Sequence, residues 1–387
     1  MTTLTRILAF VALVLFAAAP LTQARAELFE TKAKEAFLID AETGTILFSK
    51  NADKLIPPAS LAKLMTLEMV FHAIKAGRLT LADKFYISVN AWKKGGAGSG
   101  GSTMFAAVKS SVSLEDLIKG MAVVSANDAC IAVAEGMAGT EDNFAQLMTE
   151  RARKIGLEKS VFKNATGLPQ EGEVATVREL AMLGLHIWQD YPEFYHYFSL
   201  PDFKWNRIDQ RNRNPLLTMD IGADGMKTGF TDDSGYAIVG SAARDGRRLF
   251  LAMSGLSSAA ERAEEARKML EWGMNAFRKS KLFGSDEVVG EAAVFGGAKS
   301  AVPLKSKGPI SIFVPLTNRD QLIAKVVYEG PLVAPVEEGA RVGTLRVFIG
   351  DTLSQETPLY AAESIGVGTL YQRATGALEE LAVGWLR

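Results

Sequence analysis

The sequence predicts an α/β domain followed by a small all-β, sandwich-like domain and a C-terminal amphipathic helix. Three observations lead to this fold class. Apolar residues recur with helical and strand-like spacing up to about residue 282, the pattern then changes to short β-rich runs, and the last segment returns to helical spacing. With 387 residues, of which 48% are apolar, the chain is long enough to build two hydrophobic cores.

The first 26 residues are predicted to be a secretory signal peptide that is removed from the fold. Arg6 provides a positive start, Ile7–Ala19 an apolar run, and Ala24-Arg25-Ala26 a cleavage site with small residues. The apolar run is too short to cross a bilayer as a helix. Since no other segment is long and apolar enough to span a membrane, we expect an exported protein.

A β-hairpin is predicted to lead into a helix that begins at a serine. The apolar runs Phe37–Asp40 and Thr45–Ser49 form the hairpin, and Pro57-Pro58 ends its second strand. Ser60 then opens a helix with apolar residues at helical spacing. Free backbone N–H groups and the positive end of the helix dipole favour negative charge at this position.

The rest of the first domain is predicted to contain further helices and a second hairpin. The Asp245-Gly246 pair between two apolar runs is a strong hairpin signal. Gly95–Gly101 lacks the Gly-Lys-Ser/Thr ending of a phosphate-binding loop and is predicted to be a mobile loop at the rim of a cleft. The predicted helices cover residues 114–156, Arg178–Asp190 and Ala260–Phe277, and the predicted strands Gly235–Ala242 and Arg247–Ser254.

The composition changes after about residue 281, and the boundary is predicted near Phe283. Helical spacing returns over Ile365–Arg387, with apolar residues on one face and charged residues opposite. The terminal Trp385 suits a membrane interface, although the polar face is not basic and packing on the chain's own domain remains the alternative. The strands predicted between these points are Val288–Phe295, Ile310–Pro315, Leu322–Tyr328 and Gly343–Ile349.

Three short strings carry most of the chemical information. Ser60 and Lys63 lie three residues apart, about one helical turn, so their side chains share a face. A serine hydroxyl becomes a good nucleophile when a neighbouring base takes its proton, and a lysine with a lowered pKa can be that base. The other two strings are Ser125-Ala126-Asn127 and Lys227-Thr228-Gly229, which add a hydroxyl, an amide and a second cation.

Other function classes find little support in the composition. The formal net charge of −1 does not indicate a nucleic-acid-binding protein. The three histidines have no metal-ligand spacing, so no metal and no cofactor are expected. Cys130 is the single cysteine, and its apolar neighbours predict a buried, unreactive side chain.

The three strings in this order resemble those of the exported serine-type D-Ala-D-Ala carboxypeptidases, the low-molecular-mass penicillin-binding proteins. The resemblance includes Ile56–Thr66, Ser125–Cys130 and Asp224–Asp232, and it covers nearly the whole chain after the signal peptide. It implies a β-lactamase/transpeptidase-like catalytic domain, in which an antiparallel sheet is flanked by helices. It also implies removal of the terminal D-Ala from peptidoglycan pentapeptide stems, and β-lactams as covalent inhibitors.

The resemblance also implies a role for each residue of the site. Ser60 would attack the carbonyl of the penultimate D-Ala, Lys63 would accept its proton, and Ser125 would relay a proton to the leaving amine. Substrate would be bound by side chains of the second and third strings, by backbone N–H groups that hold the oxyanion, and by an arginine that holds the terminal carboxylate. The residues implied in this binding are Asn127, Lys227, Thr228, Gly229, Phe230 and Arg262.

Two positions depart from the pattern of many relatives. Ala126 replaces a glycine, and Phe230 replaces a histidine that some relatives have after Lys-Thr-Gly. The backbone N–H of residue 230 survives that change, so the expected oxyanion site is unaffected. These replacements leave the detailed substrate preference open.

Two alternative functions stay open. A class A β-lactamase shares the first and third strings but also needs a glutamate motif to activate the deacylating water. Glu171, Glu173 and Glu179 follow the second string, but none is followed by the expected Leu-Asn pair. A catalytically inactive peptidoglycan-binding homologue is the other alternative, and it would tolerate loss of Ser60, Lys63 or Lys227.

The predicted organisation is therefore a signal peptide at residues 1–26, a serine peptidase domain at 27–282, a β-rich domain at 283–362 and an amphipathic, membrane-associating helix at 363–387. The resemblance implies peripheral attachment to the periplasmic face of the inner membrane, with peptidoglycan stem peptides as substrate. Carboxypeptidase and endopeptidase activity use the same acyl-enzyme, so the residues do not separate them.

Overall fold

A computed structural model of the chain describes residues 29–317, 322–350 and 352–374. The predicted signal peptide and the last thirteen residues of the predicted C-terminal helix lie outside these ranges. Within the described residues, no helix combines the length and the apolar character that crossing a bilayer requires.

The first part of the chain is built on a five-stranded antiparallel sheet in the order β2-β1-β9-β8-β7. Both predicted hairpins are present, since β1 pairs with β2 and β8 with β9. Asp245 and Gly246 at the second turn have φ of 53° and 76°, as tight hairpin turns require. The strands are β1 (Glu35–Asp40), β2 (Ile46–Lys50), β3 (Lys84–Tyr86), β4 (Ser111–Ser113), β5 (Asp202–Trp205), β6 (Ile208–Arg211), β7 (Ala223–Thr231), β8 (Gly235–Arg244) and β9 (Arg247–Leu256).

Helices cover both faces of this sheet. A Cβ on Gly184 would lie 3.3 Å from the Phe250 ring, and a Cβ on Gly273 would lie 2.8 Å from a methyl group of Leu249. Because neighbouring strand residues point to opposite faces, the helix that carries Gly184 and the helix that carries Gly273 pack on opposite sides of β9. The helices up to residue 275 are α1 (Lys63–Lys75), α2 (Val89–Gly95), α3 (Leu114–Val123), α4 (Asn127–Ala138), α5 (Glu141–Lys154), α6 (Val177–Asp190), α7 (Pro192–Tyr195) and α8 (Ala259–Asn275).

The later part of the chain is β-rich, as predicted, and has its own apolar core. A six-stranded sheet has the order β14-β16-β17-β12-β11-β15, and a separate pair joins β10 to β13. Ile310 and Ile312 of the pair share the core with Leu345 and Val347 of the larger sheet. The strands are β10 (Phe277–Phe283), β11 (Gly290–Phe295), β12 (Ala301–Lys305), β13 (Ile310–Pro315), β14 (Leu322–Tyr328), β15 (Leu332–Val333), β16 (Arg341–Ile349) and β17 (Thr352–Ala361).

The structure differs from the sequence predictions at two places in this region. Helix α8 ends at Asn275, and Phe277, predicted as its last residue, opens β10. Ile365 and Val367 form bridges with Val336 and Gly297, and helical residues begin only at Leu370. The boundary predicted at residue 283 stays a prediction, although the strand that precedes it pairs with the β-rich part.

The two apolar cores are joined through the hairpin β1–β2. The backbone N–H of Phe313 donates to Thr45 Oγ1 at 3.1 Å, and Gln355 Nε2 donates to the Thr43 carbonyl at 2.9 Å. The Arg247 guanidinium lies 3.7 Å from the centroid of the Phe313 ring. The first two contacts lie at the turn of this hairpin, and Arg247, on the neighbouring strand β9, pairs with Asp40 at the end of β1.

A short 3-10 turn, Ala59–Ala62, connects the hairpin to α1 and is held by a distant loop. Ala59 has a φ of 50°, a conformation that alanine rarely adopts. Gly167 packs so closely that a Cβ there would lie 1.7 Å from the Ala59 carbonyl oxygen. The turn and the loop around Gly167 therefore fix each other.

We predict that Gly167→Ala destabilises the protein by more than about 3 kcal/mol, because the new methyl group must displace backbone. Gly172→Ala in the same loop is the matched control. Gly172 has a similar φ of 79°, but the nearest atom to its Cβ position is the flexible Lys163 Cε at 3.3 Å. We expect the control to cost about 1 kcal/mol in urea unfolding. Equal losses of unfolding free energy in both variants would contradict the close packing of Gly167 on the Ala59 carbonyl.

Candidate active site

Ser60 and Lys63 meet as their spacing predicts. Ser60 is half-buried in the 3-10 turn, and Lys63 is fully buried as the first residue of α1. Lys63 Nζ lies 2.9 Å from Ser60 Oγ and donates to the Thr166 carbonyl at 2.5 Å. The amine is thus held between a hydroxyl and a backbone acceptor from the loop that packs on the turn.

The environment of Lys63 favours loss of its proton. Burial lowers the pKa of its amine to about 8, and the positive charge of Arg213 acts in the same direction while Glu173 opposes it. About a tenth of such an amine is neutral at pH 7. The arrangement therefore contains a base in contact with a serine hydroxyl.

The second string lies at the junction of α3 and α4. Ser125 has a φ of 63°, and its buried Oγ has no hydrogen-bond partner within the described residues. Asn127 is the first residue of α4; its Oδ1 is likewise buried without a partner in that part of the chain. Buried polar atoms without partners are uncommon, and a bound ligand or water would satisfy them.

The glycine-rich segment packs against this second string. A Cβ on Gly101 would lie 2.9 Å from Asn127 Nδ2, and one on Gly95 would lie 2.3 Å from the backbone nitrogen of Asp128. The carboxylate of Asp128 accepts hydrogen bonds from Thr103 Oγ1 at 2.7 Å and from the backbone N–H of Met104 at 3.0 Å. The segment is therefore tied to α4, with part of it in α2 and in a short 3-10 turn rather than in an extended loop.

The third string lies on β7, at the edge of the central sheet. A Cβ on Gly229 would lie 3.3 Å from Ala59 Cβ, so glycine lets the Ser60 turn lie against the strand. Lys227 is buried, and burial together with the nearby charge of Lys63 holds its pKa well below the usual range. Because the two amines repel each other, loss of a proton from either one stabilises the charge on the other.

A cleft of about 440 Å³ brings the three strings and α8 together. Phe230 exposes about half of its side chain, and its ring lies 4.4 Å from that of Tyr236. Arg262 lies on α8 with its guanidinium carbon 5.7 Å from the centroid of the Tyr236 ring. Its Nε is buried without a hydrogen-bond partner among the described residues, and burial lowers its pKa.

Arg213 also lines the cleft and was missed by the sequence analysis. Its Nε donates to the Val124 carbonyl at 3.0 Å, and its backbone N–H donates to the Val123 carbonyl at 3.1 Å. The charge of Arg213 contributes to lowering the pKa of both Lys63 and Lys227. Arg213 lies outside the three strings, so only the fold shows that it belongs here.

Cys130 lies on α4 and is fully buried, as its apolar neighbours predict. Burial raises the pKa of its thiol to about 12, so the thiol stays protonated and poorly reactive. Among the hydroxyl groups that line the cleft, that of Ser60 contacts the Lys63 amine.

The chemistry of the cleft follows from these groups. Two lysines and two arginines converge on a small volume, which favours an anionic ligand. A serine beside a deprotonable amine suits acyl transfer. The arrangement therefore fits covalent catalysis on a substrate with a free carboxylate.

The chain matches two family models. Residues 21–257 match the model described as D-alanyl-D-alanine carboxypeptidase, and residues 277–366 match the C-terminal domain of penicillin-binding protein 5. Among curated proteins, the D-alanyl-D-alanine carboxypeptidase DacD of Escherichia coli (strain K12) is 36% identical over 341 residues, which is 87% of either chain.

Solved structures agree with this match. Penicillin binding protein 5 from Haemophilus influenzae is 32% identical with a TM-score of 0.73, over 88% of this chain and 99% of that one. Penicillin-Binding Protein D2 from Listeria monocytogenes in the ampicillin-bound form is 30% identical with a TM-score of 0.55, over 64% of this chain and 99% of that one.

Proposed function

The chain belongs to the D-alanyl-D-alanine carboxypeptidase family of penicillin-binding proteins, and on that premise we propose that Ser60 is its acylated nucleophile and Lys63 the activating base. The observation that carries the proposal is the 2.9 Å contact between Ser60 Oγ and the buried Lys63 Nζ. The lowered pKa of this amine supports the same roles.

Acylation begins when the neutral amine of Lys63 takes the Ser60 proton and Oγ attacks the carbonyl of the penultimate D-Ala. Backbone N–H groups of Ser60 and Phe230 hold the resulting oxyanion, and one such donor typically contributes about 3 kcal/mol. The C–N bond then breaks, and Ser125 relays the proton held by Lys63 to the departing amine of the terminal D-Ala, so that Lys63 is neutral again.

Deacylation returns the enzyme to its starting state. Water adds to the ester carbonyl, the bond from the carbonyl carbon to Ser60 Oγ breaks, and the serine regains its proton as the shortened peptide leaves with a carboxylate. Asn127 holds the substrate amide, Lys227 supplies positive charge beside Ser125 and the substrate, and Thr228 and Arg262 hold the terminal carboxylate. The orphan atoms Asn127 Oδ1 and Arg262 Nε support these assignments because a ligand would pair them.

We further propose that the protein is exported and lies on the periplasmic face of the inner membrane. The first 26 residues support export. Leu370 and Tyr371, in the first helical turn of the C-terminal segment, expose 77% and 78% of their surfaces, which supports a membrane-binding tail.

We predict that a labelled penicillin forms an adduct on Ser60 that persists for minutes or longer, and that Ser60→Ala forms none. Intact-mass analysis and peptide mapping measure the adduct, and release of D-Ala from a D-Ala-D-Ala peptide measures turnover. Rapid loss of the adduct would indicate a β-lactamase. An unmodified Ser60 in the wild-type protein would overturn the proposal and favour an inactive binding homologue.

We predict that Arg262→Ala reduces hydrolysis of a D-Ala-D-Ala peptide at least tenfold more than acylation by a β-lactam, since it removes a partner of the peptide carboxylate. Arg267→Ala on the same helix is the matched control, because Arg267 pairs with Glu264 and Glu271 outside the cleft. Steady-state kinetics on both substrates give the comparison. Equal losses on peptide and β-lactam would remove Arg262 from carboxylate binding.

We predict that truncation after Ala374 lowers partitioning onto liposomes while leaving unfolding and acylation unchanged. This truncation spares Ile365, which is buried and bridged to Val336, so the β-rich core stays complete. Co-sedimentation with vesicles of zwitterionic and anionic lipid measures the effect. If partitioning does not change, the tail is a packing element.

A further inference from the structure

We propose that Glu173 is a positioning residue for Lys63. It fixes the position of the Lys63 amine through Asn164 and Thr166, and its own charge influences the protonation of that amine. This inference deepens the proposed function and rests on Lys63 being the base. None of the three strings contains Glu173, and the cleft that holds Ser60 is lined by other residues.

A continuous chain of hydrogen bonds connects Glu173 to the nucleophile. Glu173 Oε2 accepts from Asn164 Nδ2 at 3.0 Å, and Asn164 Oδ1 accepts from Thr166 Oγ1 at 2.7 Å and from the Thr166 backbone N–H at 3.0 Å. The Thr166 carbonyl accepts from Lys63 Nζ, which contacts Ser60 Oγ. Asn164 Oδ1 also accepts from the backbone N–H of Gly167 at 2.7 Å, so one side chain orders the loop.

The backbone around Glu173 is fixed to the segment that carries the serine. Val174 and Val161 bridge each other, and Ala175 bridges Ile56, four residues before Ser60. The Glu173 side chain is 5% exposed, and its Oε1 has no hydrogen-bond partner among the described residues. The carboxyl group is thus held through Oε2, while Oε1 is left without a hydrogen bond among the described residues. The charge of its ionised form therefore acts on the groups around it.

Charged groups face Glu173 from two sides. Lys63 on α1 is the cation that stabilises its ionised form, and the side chain of Lys163 passes over Gly172 nearby. On the other side, Glu173 shares a cavity of about 290 Å³ with Glu171 and Asp233. Burial raises the pKa of Glu173 to about 7, and the charge of Lys63 acts against this rise.

The sign of the coupling follows from these charges. Above about pH 7 an ionised Glu173 stabilises the protonated form of Lys63, so the amine loses its proton at a higher pH than it would beside a neutral group. Glu173→Gln keeps the size and an acceptor for Asn164 but removes the charge. The pH at which Lys63 becomes a base should therefore fall.

The test compares the wild-type protein, Glu173→Gln and Glu171→Gln, the last being an exposed neighbour on the same cavity. Acylation and deacylation rates with a fluorescent penicillin are measured from pH 5.5 to 9.5. We expect the acylation profile of Glu173→Gln to shift to lower pH by about half a unit or more, and that of Glu171→Gln to stay in place. A purely structural role would lower the rate without moving the profile.

Each other outcome overturns a specific claim. If all three proteins form adducts and share one pH profile of acylation, the proposed role of Glu173 is overturned. The proposed function would still stand. Selective loss of deacylation in Glu173→Gln with an unmoved acylation profile would make Glu173 a base for the hydrolytic water instead. Absence of an adduct in the wild-type protein would overturn the proposed function as well.

A second measurement covers failure of Glu173→Gln to fold. In the wild-type protein labelled with ¹³C at glutamate carboxyl groups, we expect one resonance to titrate near pH 7 and to move when Ser60 is acylated. If no glutamate resonance moves when Ser60 is acylated, Glu173 is not coupled to the site and the proposal is wrong.

Discussion

The burial of the Lys63 amine between Ser60 and the Thr166 carbonyl is the interaction on which the rest of the site depends. An exposed lysine would stay protonated near neutral pH, and burial without hydrogen-bond partners would be costly. The fold provides both conditions by closing the loop around Gly167 over the turn that carries Ser60. The close approach at Gly229 then sets β7, and with it Lys227, against the same turn.

The parts of the site that local spacing determines were predictable from the sequence. Ser60 and Lys63 are one turn apart, so their contact follows from helix geometry. The Asp245-Gly246 turn similarly specifies its hairpin. Arg213 and the Thr166 carbonyl lie at the site because of tertiary packing, and no pattern in the flanking residues distinguishes them.

Physical reasons also explain why the sequence does not predict some of the strands. Pro303 lies in the middle of β12 and Pro358 in β17, and proline lowers the expectation of a strand. Strand β10 contains Arg278, Lys279 and Lys281, and Phe277 is its one buried residue, so it lacks the apolar run of a buried strand. In each case pairing with neighbouring strands outweighs a weak local preference.

Some of the strained backbone and of the unsatisfied buried polar atoms lie around Ser60. Ala59 and Ser125 both hold left-handed backbone conformations, each at a typical cost of about 1–3 kcal/mol. Ser125 Oγ, Asn127 Oδ1 and Arg262 Nε are buried without partners among the described residues, which adds to that cost. A substrate that pairs these atoms offsets part of that cost. Binding is thus linked to the strained geometry that places Ser60 beside Lys63, and a substitution that relaxed the strain would stabilise the protein while weakening the activity proposed for it.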